Sequence, residues 1–493
     1  VNKRKVYENM NISCNVISIG EVSCSYIGSL VLDENLVATL TIFDVEMDCY
    51  RHIEKFKDFC ICAKAEKVYY TLKVDIVLSP SFSCTEIDKD IKSKVKLGYG
   101  ISDILVGSEY AIDQNLGLSF NRFSFQTTDI FELIGMYPYE IETTDEKWEV
   151  GTSKMTGKIC SMELDNGYSC FVTPFIYKTN QEYIFSMQGK IGYESSELVD
   201  IEELKVKIHL LILLFEILSG ESISVLNIDV ERNDKIFEYI GLGNYQKSKL
   251  KNLKNGFHTK SYLRKSIFKL SDWNYNENRI IEIFQDLVET NLLAMESYKQ
   301  VLLDEELGIM TYNKFLKIMQ MIEGIMRDAV LEVEEIEFNK KKENLLSKIE
   351  NEEDKDFVVS YCNNNGVSFR TCLKGISNEC ICLLSGIEKG YNKIYKDIIN
   401  KIINDRDVYT HASKKSKPVM SENEIVKVNC CYKIFFRIKI LNKLGIKESL
   451  IRKRLLHDNR FVCAYKELFG LSILRDDNIY DTGEFDQKMW GYS

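Results

Sequence analysis

Several absences bound the reading before any motif is considered. The longest apolar run, Ile208–Phe215, is interrupted by His209 and is far too short to span a bilayer. No apolar region follows the opening Val1–Glu8 segment, so no signal peptide is expected, and the protein is expected to be cytoplasmic with no membrane partner. No internal repeat is present, which argues against a solenoid. The run Ile240-Gly241-Leu242-Gly243 lacks the Lys-Ser/Thr pair of a Walker-type phosphate loop. Histidine is scarce, with 5 in 493 residues, so every imidazole that could move a proton near neutral pH can be inspected singly.

Paired cysteines are lacking too. The 15 Cys are scattered, often inside apolar segments (Cys14, Cys24, Cys170, Cys430, Cys431), which suits reduced thiols acting as small buried hydrophobes. Cys362, Cys372, Cys380 and Cys382 cluster, but none forms the Cys-x2-Cys or Cys-x4-Cys pair usual for zinc. Buried thiols are the favoured reading there and a structural zinc the alternative. No metal and no cofactor is expected.

The net charge of −10 argues against a nucleic-acid enzyme until it is mapped along the chain. Residues 391–460 hold 17 Lys and Arg against 7 Asp and Glu, while the remainder holds 47 against 67. Such a stretch can capture a polyanion in a salt-dependent way; solvated Lys-rich helices are the plainer reading. Inside it lies Arg406-Asp407-Val408-Tyr409-Thr410-His411. A guanidinium grips phosphate oxygens in a planar fork and an imidazole moves protons, a minimum kit for cutting RNA without a metal. With 14 Arg and 5 His, about 0.14 chance instances of Arg-x4-His are expected. The chain has a second, Arg452–His457, so context must choose.

Upstream, Tyr391–Ile403 reads as an amphipathic helix with Ile394, Ile398, Ile399, Ile402 and Ile403 on one stripe. Downstream, after the polar break His411–Pro418, Ser421 and Glu424 form a capping-box start for a helix over Ile425–Leu444. The first run is therefore expected at a helix-to-loop junction.

This arrangement of helix, Arg-polar-x-x-x-His, and helix resembles the HEPN ribonuclease superfamily. Arg406, Asp407 and His411 fit its motif position by position, whereas Lys453 after Arg452 does not. The surroundings look more specifically like the ApeA type of HEPN protein, found in bacterial anti-phage abortive-infection systems. Ile434–Ile446 is similar to the helix that follows the motif there, and Phe315–Arg327, with Glu323, resembles its opening helix. Tyr26–Leu32, Leu105–Tyr110 and Phe120–Phe125 look like the β-rich domain that precedes the HEPN domain in such proteins.

The first half is rich in short strand patterns: Asn11–Ile19, Ser23–Leu32, Leu36–Val45, Val68–Leu78 and Leu116–Phe125, continuing through Lys147–Phe175 and Glu182–Gly192. A sandwich-like domain is the natural form, its interior filled by alternate residues such as Val37, Thr39 and Thr41 or by their neighbours. Asp200–Leu218 turns helical, with Gly220 as its stop and His209 a packed core histidine. From Arg279 onward helices dominate: Ile280–Leu303, Tyr312–Val333 and Phe338–Ile349. The fold class is α+β, a β-rich N-terminal domain followed by an all-α HEPN-type bundle. The expected domains are 1–245 (β-rich, sensory or regulatory), 246–300 (a basic connector and linking helix), 301–475 (the HEPN domain) and a 476–493 tail.

The resemblance implies an endoribonuclease acting through attack of a ribose 2′-hydroxyl on the adjacent phosphate. His411 would be the general acid or base, Arg406 the stabiliser of charge on the phosphorane, and Asp407 an orienting group. Lys401, Tyr409, Lys414 and Lys415 are candidate substrate contacts. The implied partners are RNA, with tRNA among the candidates, a phage-derived trigger and a second copy of the chain. One imidazole per motif is too few for two proton transfers, hence an expected homodimer or higher oligomer. Cys430, Ile434, Phe436, Ile440 and Leu441 would supply its apolar surface, unless they pack within the chain. The rival is a non-catalytic HEPN-like nucleotide- or protein-binding module beside a ligand-binding β domain.

Overall fold

The computed structural model describes residues 10–33, 37–54, 59–87, 90–109, 118–127, 133–134, 140–144, 147–151, 160–178, 183–223, 225–241, 268–272, 279–308, 311–361, 368–387, 392–411 and 417–475, and all structural statements concern these. Two compact units emerge. One comprises Val1–Ile212 with Ile223–Thr259; the other comprises Leu213–Ser222 with Lys260–Ser493.

The first unit is a barrel continued as a sheet. Strands β1 (Met10–Ile19), β2 (Val22–Leu32), β3 (Ala38–Glu46), β4 (Cys60–Ala65), β5 (Val68–Ile87) and β6 (Asp90–Gly107) close in the antiparallel order β6-β3-β2-β1-β4-β5, with β5 pairing back onto β6. A short helix, α1 (Met47–Ile53), follows β3. The interior register falls on Ala38, Leu40 and Ile42, not on Thr39 and Thr41, while Val37 stays exposed. Leu30, Leu32, Val95, Leu97 and Tyr99 fill the same core, as the two-residue period of facing strands requires.

Beyond residue 101, β6 also pairs with a strand outside the barrel. The added strands are β7 (Ser119–Thr127), β10 (Cys160–Glu163), β11 (Tyr168–Lys178), β12 (Tyr183–Asp200), β13 (Val225–Arg232) and β14 (Lys235–Ile240); β8 (Glu140–Thr144) and β9 (Lys147–Gly151) form a separate hairpin. From β6 the sheet runs β14-β13-β7-β12-β11-β10. Asn233 and Asp234, both at positive φ, make the tight β13–β14 turn. Gly107 is needed at the β6 end because a Cβ there would lie 2.6 Å from the Phe237 ring.

Helix α2 (Ile201–Ser219) begins in this unit, where Lys205 meets the fully buried Asp103 carboxylate at 2.7 Å. Ser102 and Tyr239 hydroxyls donate to the same carboxylate, so its charge is matched. His209 is half-buried on this helix.

The last turns of α2 belong to the helical unit. That unit contains α3 (Ile280–Thr290), α4 (Leu292–Leu307), α5 (Thr311–Leu346), α6 (Glu352–Tyr361), α7 (Phe369–Ser385), α8 (Asn392–His411), α9 (Glu422–Lys443), α10 (Glu448–Leu455) and α11 (Asn459–Phe469). The expected helix over Ile280–Leu303 is broken at Asn291, and the two expected over Tyr312–Ile349 form one continuous helix to Leu346. Most of the basic stretch Lys247–Lys269 and the whole 476–493 tail lie outside the described residues.

Helix α9 is the axis of the unit. Val428, Cys431, Tyr432, Phe435 and Ile438 are buried, and so are Ile434, Phe436, Ile440 and Leu441. The expected dimer surface on this helix is therefore internal, packed within the chain's own bundle; Phe436, for instance, stacks on Tyr298 of α4 at 5.2 Å. Arg437 is buried as well, and donates from Nε to the Ile217 carbonyl and from Nη2 to the Leu218 carbonyl, both at 2.8 Å. It thereby satisfies the orphan acceptors at the end of α2. Gly220 follows at φ +76, where a Cβ would lie 2.4 Å from Arg437 Nη1. Among the described residues no helix is long and apolar enough to cross a membrane.

Candidate active site

Helix α8 turns Tyr395, Ile398, Ile399 and Ile402 into the core, and Asp405 continues that stripe. Its carboxylate is fully buried, which is tolerable only if satisfied. Val419 N–H donates to Oδ1 at 2.7 Å, Met420 N–H donates to Oδ2 at 2.9 Å, and the Asn404 amide donates to Oδ1 at 3.0 Å. Asn404 also donates to the Lys417 carbonyl. These bonds pin the chain entering α9 against the turn just before Arg406, and Ser421 and Glu424 then complete the expected capping box. In the sequence only the helical spacing from Ile398 and Ile402 marks Asp405 for burial, while its acidic side chain argues against it.

Arg406 sits at the edge of the buried stripe, its side chain 28% exposed. Nη2 lies 3.3 Å from Glu323 Oε2 on α5, and Nη1 lies 3.4 Å from Asp407 Oδ1. The guanidinium carbon stands 4.9 Å over the ring of Phe369, the first residue of α7. Glu323 is itself held by Arg327 at 2.8 Å. A half-exposed cation, steered by two carboxylates and a ring, is suited to receive a phosphate oxygen.

Residues 316–450 match the family model described as Apea-like HEPN. The chain thus carries a C-terminal HEPN domain of that type, consistent with an ApeA-type HEPN protein. No curated protein and no solved structure matches the chain. HEPN domains generally act on RNA, as ribonucleases, and dimerise, so the domain suggests a nuclease-like or RNA-related role in defence. The matched segment holds Glu323, Phe369, Arg406, Asp407 and His411.

Within the HEPN domain the motif occupies the last turns of α8, which ends at His411; residues 412–416 lie outside the described residues. Tyr409 supports these turns, packing at 4.9 Å on Tyr312 and 6.2 Å on Phe315. On such a helix position 411 lies about 140° round from position 406 and about 40° from 407. Of the expected substrate contacts, Tyr409 is committed to that aromatic cluster, where burial and the neighbouring Tyr312 push its hydroxyl up to about 12. Lys401 pairs with Glu424 at 2.7 Å. That pair, with the Ser421 cap, pulls the Glu424 carboxyl down to about 2. Lys414 and Lys415 lie outside the described residues.

The second Arg-x4-His run is built differently. Arg452 donates to the Leu383 carbonyl near the end of α7 at 2.9 Å, Arg454 pairs with Asp272 at 3.0 Å, and His457 is exposed in the turn before α11. Part of the basic field of the sequence also meets acids from elsewhere in the helical unit. Lys433 pairs with Glu305, Lys439 with Glu379 and Lys427 with Glu467.

The clustered cysteines do not converge. Cys372 and Cys380 face the core of α7, Cys382 is exposed on the other side, and Cys362 lies outside the described residues. Among the described residues no group of three or more His, Cys, Asp or Glu side chains could hold a metal.

Proposed function

We propose that the protein is a metal-independent endoribonuclease of anti-phage defence, acting in the cytoplasm by abortive infection. The 2′-hydroxyl of a ribose attacks the adjacent phosphorus, forming the P–O2′ bond of a 2′,3′-cyclic phosphate. The P–O5′ bond breaks, one imidazole accepts the 2′-proton, and a second donates a proton to the departing 5′-oxygen. Arg406 bears the charge that grows on the phosphoryl oxygens. Asp407 and Glu323 hold the guanidinium in place, and His411 supplies the imidazole. Because positions 406 and 411 diverge around one helix, the cleft combines Arg406 of one chain with His411 of a second in a homodimer. The β-rich unit senses a phage-derived trigger. Transfer RNA is a candidate substrate, since its exposed loops present the flexible ribose that in-line attack needs.

The observation that carries this reading is the part-exposed Arg406 guanidinium, held by Glu323 and Asp407 inside the HEPN segment. The test is cleavage of RNA by the purified chain with and without chelator, the products read for a cyclic-phosphate end. Cleavage that survives chelation and vanishes in Arg406→Ala supports it; a requirement for a divalent cation overturns it.

One observation favours the rival. Arg406 already has two carboxylate partners, as a purely structural arginine closing a helix would. In a non-catalytic nucleotide- or protein-binding module, Arg406→Ala would lower stability and leave no enzymatic phenotype.

A further inference from the structure

We propose that Phe369 is a positioning residue, the platform that fixes the plane of the Arg406 guanidinium. The proposal rests on the ribonuclease reading above and names a group that reading does not need. Glu323 meets Nη2 at 3.3 Å and Asp407 meets Nη1 at 3.4 Å. Two contacts at the two Nη atoms define an axis, and about that axis the planar group is still free to swing. The Phe369 ring, with the guanidinium carbon 4.9 Å over it, supplies a third restraint. With all three, the fork presents its donors to a phosphoryl oxygen in a single orientation, and that arrangement is made before the charge develops.

The ring is in turn anchored to the bundle. Ser368 is the N-cap of α7, its hydroxyl accepting from Thr371 N–H at 3.2 Å. The next turn buries Cys372, Leu373 and Ile376, so the first residue of the helix has a fixed backbone. A ring on such a base holds its angle. An aliphatic side chain would keep the apolar contact and lose the negative ring face that attracts the cation.

The competing assignment is that Phe369 stacks a base of the RNA. The two differ in kinetics. A platform for Arg406 acts on the transition state and sets kcat; a base-stacking ring sets KM.

The experiment uses the full chain, checked for unchanged thermal unfolding, as wild type, Phe369→Leu, Phe369→Tyr and Arg406→Ala on an RNA oligonucleotide. Phe369→Leu is expected to lose about tenfold in kcat with KM within about twofold, and Phe369→Tyr to stay within about threefold of wild type. A rise in KM at unchanged kcat, or a Leu variant equal to wild type, overturns the proposal. A second arm is independent of catalysis: modification of Arg406 by phenylglyoxal, followed by peptide mass analysis. Arg406 is expected to react several-fold faster in Phe369→Leu than in wild type or Phe369→Tyr; equal rates in all three overturn the platform. If the wild type cleaves no RNA, the ribonuclease reading fails on its own, and the phenylglyoxal arm still decides whether the ring holds the guanidinium.

Discussion

Arg406 Nη2 lies 3.3 Å from Glu323 Oε2, a pair formed across 83 positions of sequence between α8 and α5. The two residues were legible separately, one from the Arg-Asp-x3-His spacing and the other from a helix resembling the opening helix of HEPN domains. Their meeting makes a site from two patterns. The charge of Glu323 tempers that of Arg406, so the guanidinium is oriented without being so tightly paired that a phosphate cannot compete.

Removal of the motif should separate from removal of its look-alike. Arg406→Ala and His411→Ala should abolish RNA cleavage and any growth toxicity with the fold retained. Losing the charge stabiliser costs on the order of 3 kcal/mol in the barrier, and losing the acid or base about 10² to 10⁴ in rate. Arg452→Ala should leave activity within a few-fold and lower stability by about 1 kcal/mol, since it takes a donor from the Leu383 carbonyl. Single-turnover cleavage and urea unfolding check both halves. An inactive but fully stable Arg452→Ala would reverse the assignment of the two runs.

Much of the fold was readable because it depends on period. The strand patterns from Asn11 to Gly192 and the helical stripes from Ile280 onward are local, and the structure places strands and helices there. What was not readable depends on partners. The two-residue period of β3 allowed either Thr39 and Thr41 or Ala38, Leu40 and Ile42 inward, and only barrel closure selects the second set. The apolar excess of α9 is the same string of letters whether it faces a second chain or its own bundle, and Tyr298 decides for the bundle. Likewise, Lys433 and Lys439 counted toward a basic field until Glu305 and Glu379 reached them from distant helices.

The end of helix α2 should limit where the chain can be cut. Residues 213–222 belong to the helical unit, with Arg437 donating to the Ile217 and Leu218 carbonyls. A truncation removing residues 1 to about 250 should therefore unfold, or lose several kcal/mol, because it removes two carbonyls to which the buried Arg437 guanidinium donates. A truncation starting at Ile201 should keep the helical unit folded. Arg437→Met should cost about 1 to 3 kcal/mol in the full chain by removing the donor to the buried Ile217 carbonyl, while the Leu218 carbonyl keeps the Phe268 N–H. Thermal unfolding of the three proteins checks this, and toxicity of the folded truncation with and without phage tests whether the β-rich unit acts as the sensor.

The entrance to α9 should be acid-sensitive. The Glu424 carboxyl is held near 2 by Lys401 and by the Ser421 cap, below its value of about 4.3 in an unfolded chain. A lowered folded value means stabilisation that is complete above about pH 4.3 and is lost as pH falls toward 2. Glu424 is about a third exposed, so the contribution is discounted to about 1 kcal/mol. Glu424→Gln should accordingly lower stability by about that amount at pH 7 and converge on wild type near pH 2. A penalty that is constant with pH would mean the effect is packing and not charge.

Subunit mixing decides whether the cleft is shared. On one helix, positions 406 and 411 stand about 140° apart, so the two motif positions diverge within one chain. A two-fold axis beside the exposed side of α8, where Asp407 lies, would bring Arg406 of one chain toward His411 of its partner. The apolar residues of α9 cannot provide this contact, because Ile434, Phe436, Ile440 and Leu441 are already buried within the chain. Arg406→Ala and His411→Ala are each expected to be inactive alone. After unfolding and refolding together, half of the dimers pair one of each, and every such pair has one intact Arg406–His411 combination. Such a pair keeps one imidazole of the two, so activity should rise above that of either variant alone and stay well below the wild-type value. A mixture that stays inactive while light scattering shows dimers would place both groups of a working site on one chain, and an active monomer would remove the need for a second chain altogether.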